Sequence, residues 1–191
     1  AGSLVSFMDI NPERLEMIHK LASRYAAELG ADLRFERTAD RAAALQDADF
    51  VINTAYPTGH HQARALRELT AKHGYYYGGA TLGSYHELKL MLDVARDMAR
   101  ICPDAWLIQS GNPVFAGTTL MTRETGIKVC GLCHGHYGYQ RIAEVIGIPH
   151  PEQITWQAPG LNHNIWMTDF IYEGNDAYPL IDEWIETKGE E

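Results

Sequence analysis

Basic runs are missing from this sequence: 16 Lys and Arg are outnumbered by 25 Asp and Glu, giving a formal net charge of −9. A nucleic-acid surface needs clustered cations to neutralise phosphates, so that class of partner is excluded. Also missing is any apolar stretch of bilayer-spanning length, and the N-terminus has no charged-then-apolar pattern. Neither a membrane helix nor a secretory leader is expected. Cysteine is scarce. Three in 191 residues, an odd number, do not make a disulfide framework. That points to a reducing, cytoplasmic setting and leaves the thiols for metal or catalysis. The 46% of hydrophobic residues is enough to build the core of one large domain or two small ones.

Apolar runs alternate with helical patterns along most of the chain. Leu4 to Ile10 is short and β-favouring, and Asn11-Pro12-Glu13 then supplies a capping side chain, a first-turn Pro and an early acid. Leu15, Ile18, Leu21, Tyr25 and Leu29 recur at helical spacing until Gly30. Further strands are expected at Leu33–Glu36, Phe50–Ile52, Ala105–Gln109 and Ile127–Leu132, and helices at 39–45, 61–72, 85–100, 118–125 and 139–146. From Ile154 onward the pattern changes to strands and loops rich in Trp and Tyr, with a polar helix end over the last ten residues. Near-continuous apolar strands between helices predict an α/β fold with a Rossmann-like parallel sheet covered on both faces, followed by the start of an α+β unit. The expected division is 1–125 and 126–191. In such sheets ligands sit beyond the carboxyl ends of the strands, and Asp9, Asn53, Asn112, Cys133 and His134 fall at that edge.

Each of these residues has a plain reading beside the functional one. Asp9 stands where an acid binds an adenosine ribose, but it serves equally as a cap for the helix after Pro12, and no complete Gly-rich turn precedes it. Asn112-Pro113 places an amide near a ligand or simply makes a turn. Cys130-Gly-Leu-Cys133-His134 spells a haem c attachment motif, which implies export and is disfavoured by the composition. A zinc ribbon would need a second Cys-x-x-Cys, and the only other cysteine is Cys102. If the strand continues through this string, Cys130 and Cys133 face opposite sides, and Cys133, nearer the end, is the better candidate for chemistry. His134, His136 and His163 are the most suggestively placed histidines, the last inside Asn162-His163-Asn164. A Cys133 thiolate with a His163 imidazole suits a borderline divalent ion and leaves coordination positions open, as a catalytic metal requires.

Six blocks in order, FMDINPERLE, DADFVINTAYPTGH, HGYYYGG, GNPVFAGTTLMTR, IKVCGLCHGHYG and APGLNHNIWM, resemble the family 4 glycosidases, and most closely their α-glucosidase branch. The similarity runs through nearly all of the chain. It implies a lactate/malate-dehydrogenase-like NAD domain joined to a catalytic domain. It further implies that Cys133 and His163 bind the metal, that His134 is the general acid, that Asn112 and Asn162 lie near the sugar, and that Asp9, Asn53 and Thr54 belong to the dinucleotide side. The chemistry implied is hydrolysis of an O-glycosidic bond in an α-glucoside-like sugar by redox-assisted elimination, an exception to two-carboxylate hydrolysis. NAD oxidises C3, a divalent ion (usually Mn2+) supports loss of the C2 proton, His134 protonates the leaving oxygen, water adds, and the hydride returns.

The resemblance also implies that the chain starts at the family's second strand. It then lacks the first strand, most of the Gly-rich turn and the first helix, whose N-terminus supplies the pyrophosphate site. The stretch between Gly79 and Ser84 is shorter than in relatives, and the general base and much of the homo-oligomer interface are expected beyond Glu191. Two other readings stay open at this point. A hydroxy-acid dehydrogenase shares the fold but has no use for Cys133 and His163; a truncated, inactive NAD- or metal-binding fragment would keep the fold without the cycle.

Overall fold

The structure, a computed structural model, describes residues 2–75, 84–161 and 163–189. Contacts divide the chain into two compact units, Ala1–Leu132 and Cys133–Glu191.

The first unit alternates strand and helix: β1 (Ser3–Met8), α1 (Pro12–Glu28), β2 (Leu33–Thr38), α2 (Arg41–Leu45), β3 (Phe50–Asn53), α3 (Gly59–Ala71), α4 (Tyr85–Ile101), β4 (Trp106–Gln109), α5 (Val114–Glu124) and β5 (Lys128–Gly131). Local chemistry explains the boundaries. The Asn11 side chain accepts the Arg14 amide at 3.0 Å and starts α1, with Pro12 fixing the first turn. Gly30, at φ +63°, takes the left-handed geometry just beyond its end. Asp40 caps α2 by accepting the Ala42 amide at 2.8 Å.

All strand pairs in this unit are parallel, as expected of strands joined by helical crossovers. The hydrogen bonds make two sheets, β1–β2 and β3–β4–β5. On one face of the second sheet Val51, Leu107 and Val129 pack against Met91, Val94, Ala95, Met98 and Met121 of α4 and α5. The other face of β3 is open among the described residues, where both covered faces were expected: Phe50 and Ile52 point that way and are 66% and 68% exposed. Side chains alternate along a strand, so only every second residue of FVIN reaches the helices.

The second unit opens with a 3₁₀ turn at His134–Tyr137 and continues through α6 (Gly138–Ile146), closed by Gly147 at φ +78°. Five short strands follow: β6 (Ile154–Gln157), β7 (Gly160–Leu161), β8 (Asn164–Ile165), β9 (Asp169–Tyr172) and β10 (Asn175–Asp176), then α7 (Tyr178–Lys188). Here the pairing is antiparallel, with sheet order β10–β9–β6 and a separate β7–β8 hairpin. Phe170, Ala143, Ile148 and Ala177 form the core, and Tyr139 stacks on Trp156 with ring centroids 4.9 Å apart. No helix among the described residues is long and apolar enough to cross a membrane.

Candidate functional site

At the carboxyl end of β3, Asn53 is 7% exposed and its carboxamide is engaged at both ends. Its Oδ1 accepts the Ala55 amide at 3.2 Å, and its Nδ2 donates to Gln109 Oε1 at 2.9 Å. Gln109, at the matching end of β4 and wholly buried, donates in turn to the Gly111 carbonyl at 2.7 Å. Burying two carboxamides is tolerable because they satisfy one another and the adjoining backbone. Thr54 and Asn112 follow these two residues and are exposed, Asn112 preceding Pro113 through a cis peptide bond. Asp9 lies just past β1, part-buried. Its Oδ1 accepts the Asn11 amide at 2.8 Å and its Oδ2 lies 3.4 Å from Arg14. The helix cap itself is Asn11, so Asp9 fills the turn before the cap and is not the cap.

β5 ends at Gly131, so Cys133 lies beyond the strand, at the N-cap of the 3₁₀ turn. Alternation along a strand therefore does not decide between Cys130 and Cys133; the position of His163 does. The β7–β8 hairpin pairs Leu161 with Asn164, and His163, just before Asn164, stands at φ +56°. Such a φ is uncommon outside glycine, though His is enriched among the exceptions, and tight hairpin turns require it. The turn carries the imidazole to Cys133: Nε2 lies 3.5 Å from Sγ. Ile165, two residues on, approaches the place where a Cβ on Gly135 would sit, at 3.2 Å, so a side chain at 135 would crowd the hairpin.

The two donor atoms fit a shared cation. Bonds of about 2.3 Å to sulfur and about 2.0 Å to nitrogen, at angles from right to tetrahedral, put such ligands roughly 3.0–3.5 Å apart. A thiolate with an imidazole favours borderline transition ions over Mg2+ or Ca2+. Among the described residues no third His, Cys, Asp or Glu joins them in a group that could hold a metal ion. His134, next to Cys133, is exposed and its ring stands 5.8 Å from that of Tyr137. Asn162 and the side chain of His136 lie outside the described residues. Cys102 takes no part: it is buried in the α4–α5 core, and burial pushes its thiol up, away from the reactive thiolate.

Sequence reasoning placed no function on Gln109, although a polar residue closing the apolar run AWLI was a legible signal.

Parallel strands joined by helical crossovers, with polar side chains gathered at their carboxyl ends, define a Rossmann-like α/β protein. The solved lactate dehydrogenase of Eimeria maxima has the same fold, with a TM-score of 0.71 at 15% identity over 98% of this chain and 61% of that one. A family pattern described as Family 4 glycosyl hydrolase matches residues 1–148, and the chain belongs to that family. It is 30% identical to an α-galactosidase of Bacillus subtilis over 94% of this chain and 44% of the relative, and 31% identical to an α-glucosidase of Erwinia rhapontici over 93% and 42%. A 6-phospho-α-glucosidase from gut microorganisms, solved in complex with NAD and Mn2+, superposes with a TM-score of 0.82 at 21% identity over 97% of this chain and 44% of that one. The chain thus spans less than half the length of these glycosidase relatives.

Proposed function

We propose that this chain carries the dinucleotide-binding and cation-binding parts of a glycosidase that cleaves an α-glucoside-like sugar with the help of NAD and a divalent cation, Mn2+ first among candidates. The observation that carries the reading is the approach of Cys133 Sγ to His163 Nε2, 3.5 Å apart. A hydroxy-acid dehydrogenase of the same fold has no task for such a pair. Relatives named for α-galactosides and α-glucosides, and a structural neighbour holding NAD and Mn2+, support the same reading.

When bound, the dinucleotide supplies reversible hydride exchange with a sugar carbon, and the cation supplies Lewis acidity toward the neighbouring sugar oxygens. The protein's own residues do the rest. Cys133 Sγ and His163 Nε2 would hold the cation. His134 gives a proton to the departing glycosidic oxygen, a role its exposure permits. Asn112 and Asn162 hold sugar hydroxyls through their carboxamides. Asp9 receives ribose hydroxyls, since a carboxylate engaged by one amide and one guanidinium still has acceptor sites. Asn53 shapes the loop that brings Thr54 to the dinucleotide. In this reading residues 1–125 form the dinucleotide part and 126–191 the beginning of the catalytic part.

The chemistry is tested by cleaving an α-glucoside in D2O with NAD+ and Mn2+ present. Solvent deuterium is expected at C2 of the released sugar. Cleavage that leaves C2 fully protonated would rule out the elimination route.

A further inference from the structure

The hydrogen bonds around Gln109 run in a single direction. Ala55 N–H donates to Asn53 Oδ1, Asn53 Nδ2 to Gln109 Oε1, and Gln109 Nε2 to the Gly111 carbonyl. Both ends of this relay are backbone groups of fixed sense, because an N–H only donates and a carbonyl only accepts. Neither amide can therefore turn over. A reversed Gln109 would set oxygen against the Gly111 oxygen, and a reversed Asn53 would set its NH2 against the Ala55 N–H. The Asn53 carbonyl completes the arrangement by accepting the Ser110 and Gly111 amides at 3.0 and 2.9 Å. The two loops pass so closely that a Cβ on Gly111 would lie 3.1 Å from the Ala55 oxygen and 3.3 Å from Gln109 Nε2. Nothing in this relay is needed to pair β3 with β4, whose ladder already spans Phe50–Asn53 and Trp106–Gln109.

We infer that Gln109 is a positioning residue for ligand binding: it locks the loop bearing Thr54 to the loop bearing Asn112, so one buried amide sets both. The inference rests on the roles proposed above, Thr54 toward NAD and Asn112 toward the sugar. Gln109 touches neither ligand; it acts through the Asn53 carboxamide and the Gly111 carbonyl, and Asn53 in turn holds the Ala55, Ser110 and Gly111 amides.

Two variants separate this from a packing role. Gln109→Met keeps the length and removes both side-chain bonds, whereas Gln109→Glu keeps the acceptor and removes the donor to Gly111. Hydrogen exchange at single amides and calorimetric titration with NAD+ are the readouts. Exchange at Ala55, Ser110 and Gly111 is expected to quicken about tenfold in both variants, the worth of one hydrogen bond, while Leu107 and Ile108 keep native rates. The Kd for NAD+ is expected to rise by about the same factor. Native exchange rates at the three loop amides overturn the inference, and so does unchanged NAD+ affinity in both variants. If the unsubstituted protein binds no NAD+, the functional reading fails instead, and the exchange pattern alone then decides whether Gln109 sets the loops. Should either variant unfold, Gln109→Asn, one methylene shorter, keeps a buried amide while losing reach to Gly111, and the same exchange pattern is expected of it.

Discussion

Asp97 shows how a single residue's surroundings set a measurable property. Burial pushes its carboxyl up, but hydrogen bonds from Arg41 and Arg100 outweigh that and hold it below the ordinary value of 3.8. A carboxylate whose pKa is depressed by folding stabilises the protein above the unfolded value, and the contribution is lost as pH falls through the folded one. The pair is partly open to solvent, so screening reduces its worth. Asp97→Asn is therefore expected to cost about 1 kcal/mol at neutral pH, with the deficit fading as pH falls below the ordinary carboxylate value and through the lowered folded one. Urea unfolding at pH 7 and pH 2.5 checks this; an equal deficit at both values would contradict it. Single residues of the candidate site were legible to different degrees. The residue types of Cys133 and His163 suggest metal chemistry, which the structure leaves a proposal; their meeting depends on a hairpin turn that places His163 at positive φ, and no pattern in Asn162-His163-Asn164 specifies that by itself.

At the scale of elements, strand and helix periodicity marked most of the alternation correctly, because each apolar run is short and each helix presents a stripe. Caps gave the sharpest boundaries. Asn11 starts α1 as its side chain predicts, and Asn11→Ala is expected to lower stability by about 1 kcal/mol through loss of the bond to the Arg14 amide. A thermal or urea melt measures it, and a change within error would mean the Pro12 turn suffices alone. Boundaries without a cap signal were harder. α5 begins at Val114, earlier than Thr118, because its apolar first turn, VFAG, carries no helical side-chain signal and follows directly on Pro113. β5 stops at Gly131, two residues before Cys133, and a Cβ there would run into Thr118, so the position takes a glycine. A run of apolar letters cannot display that steric limit.

For the molecule as a whole, the order of six sequence blocks was enough to indicate the family, whereas long-range arrangements had no local signature. The Asn53–Gln109 bond joins residues 56 positions apart, and each looks alone like a polar residue ending a strand. The bare side of β3, with Phe50 and Ile52 exposed, is likewise a property of which helices pack where, not of the composition of FVIN. Function at this scale reduces to whether two side chains thirty residues apart in sequence grip one ion. Titration with Co2+, a coloured stand-in for Mn2+, reads this directly, because a cobalt–thiolate bond adds a sulfur-to-metal charge-transfer band to the absorption spectrum. That band is expected in the unsubstituted protein, with complete loss in Cys133→Ala and a weakened, lower-affinity band in His163→Ala, circular dichroism showing both variants folded. A spectrum without the band, or an undiminished band after Cys133→Ala, would contradict it.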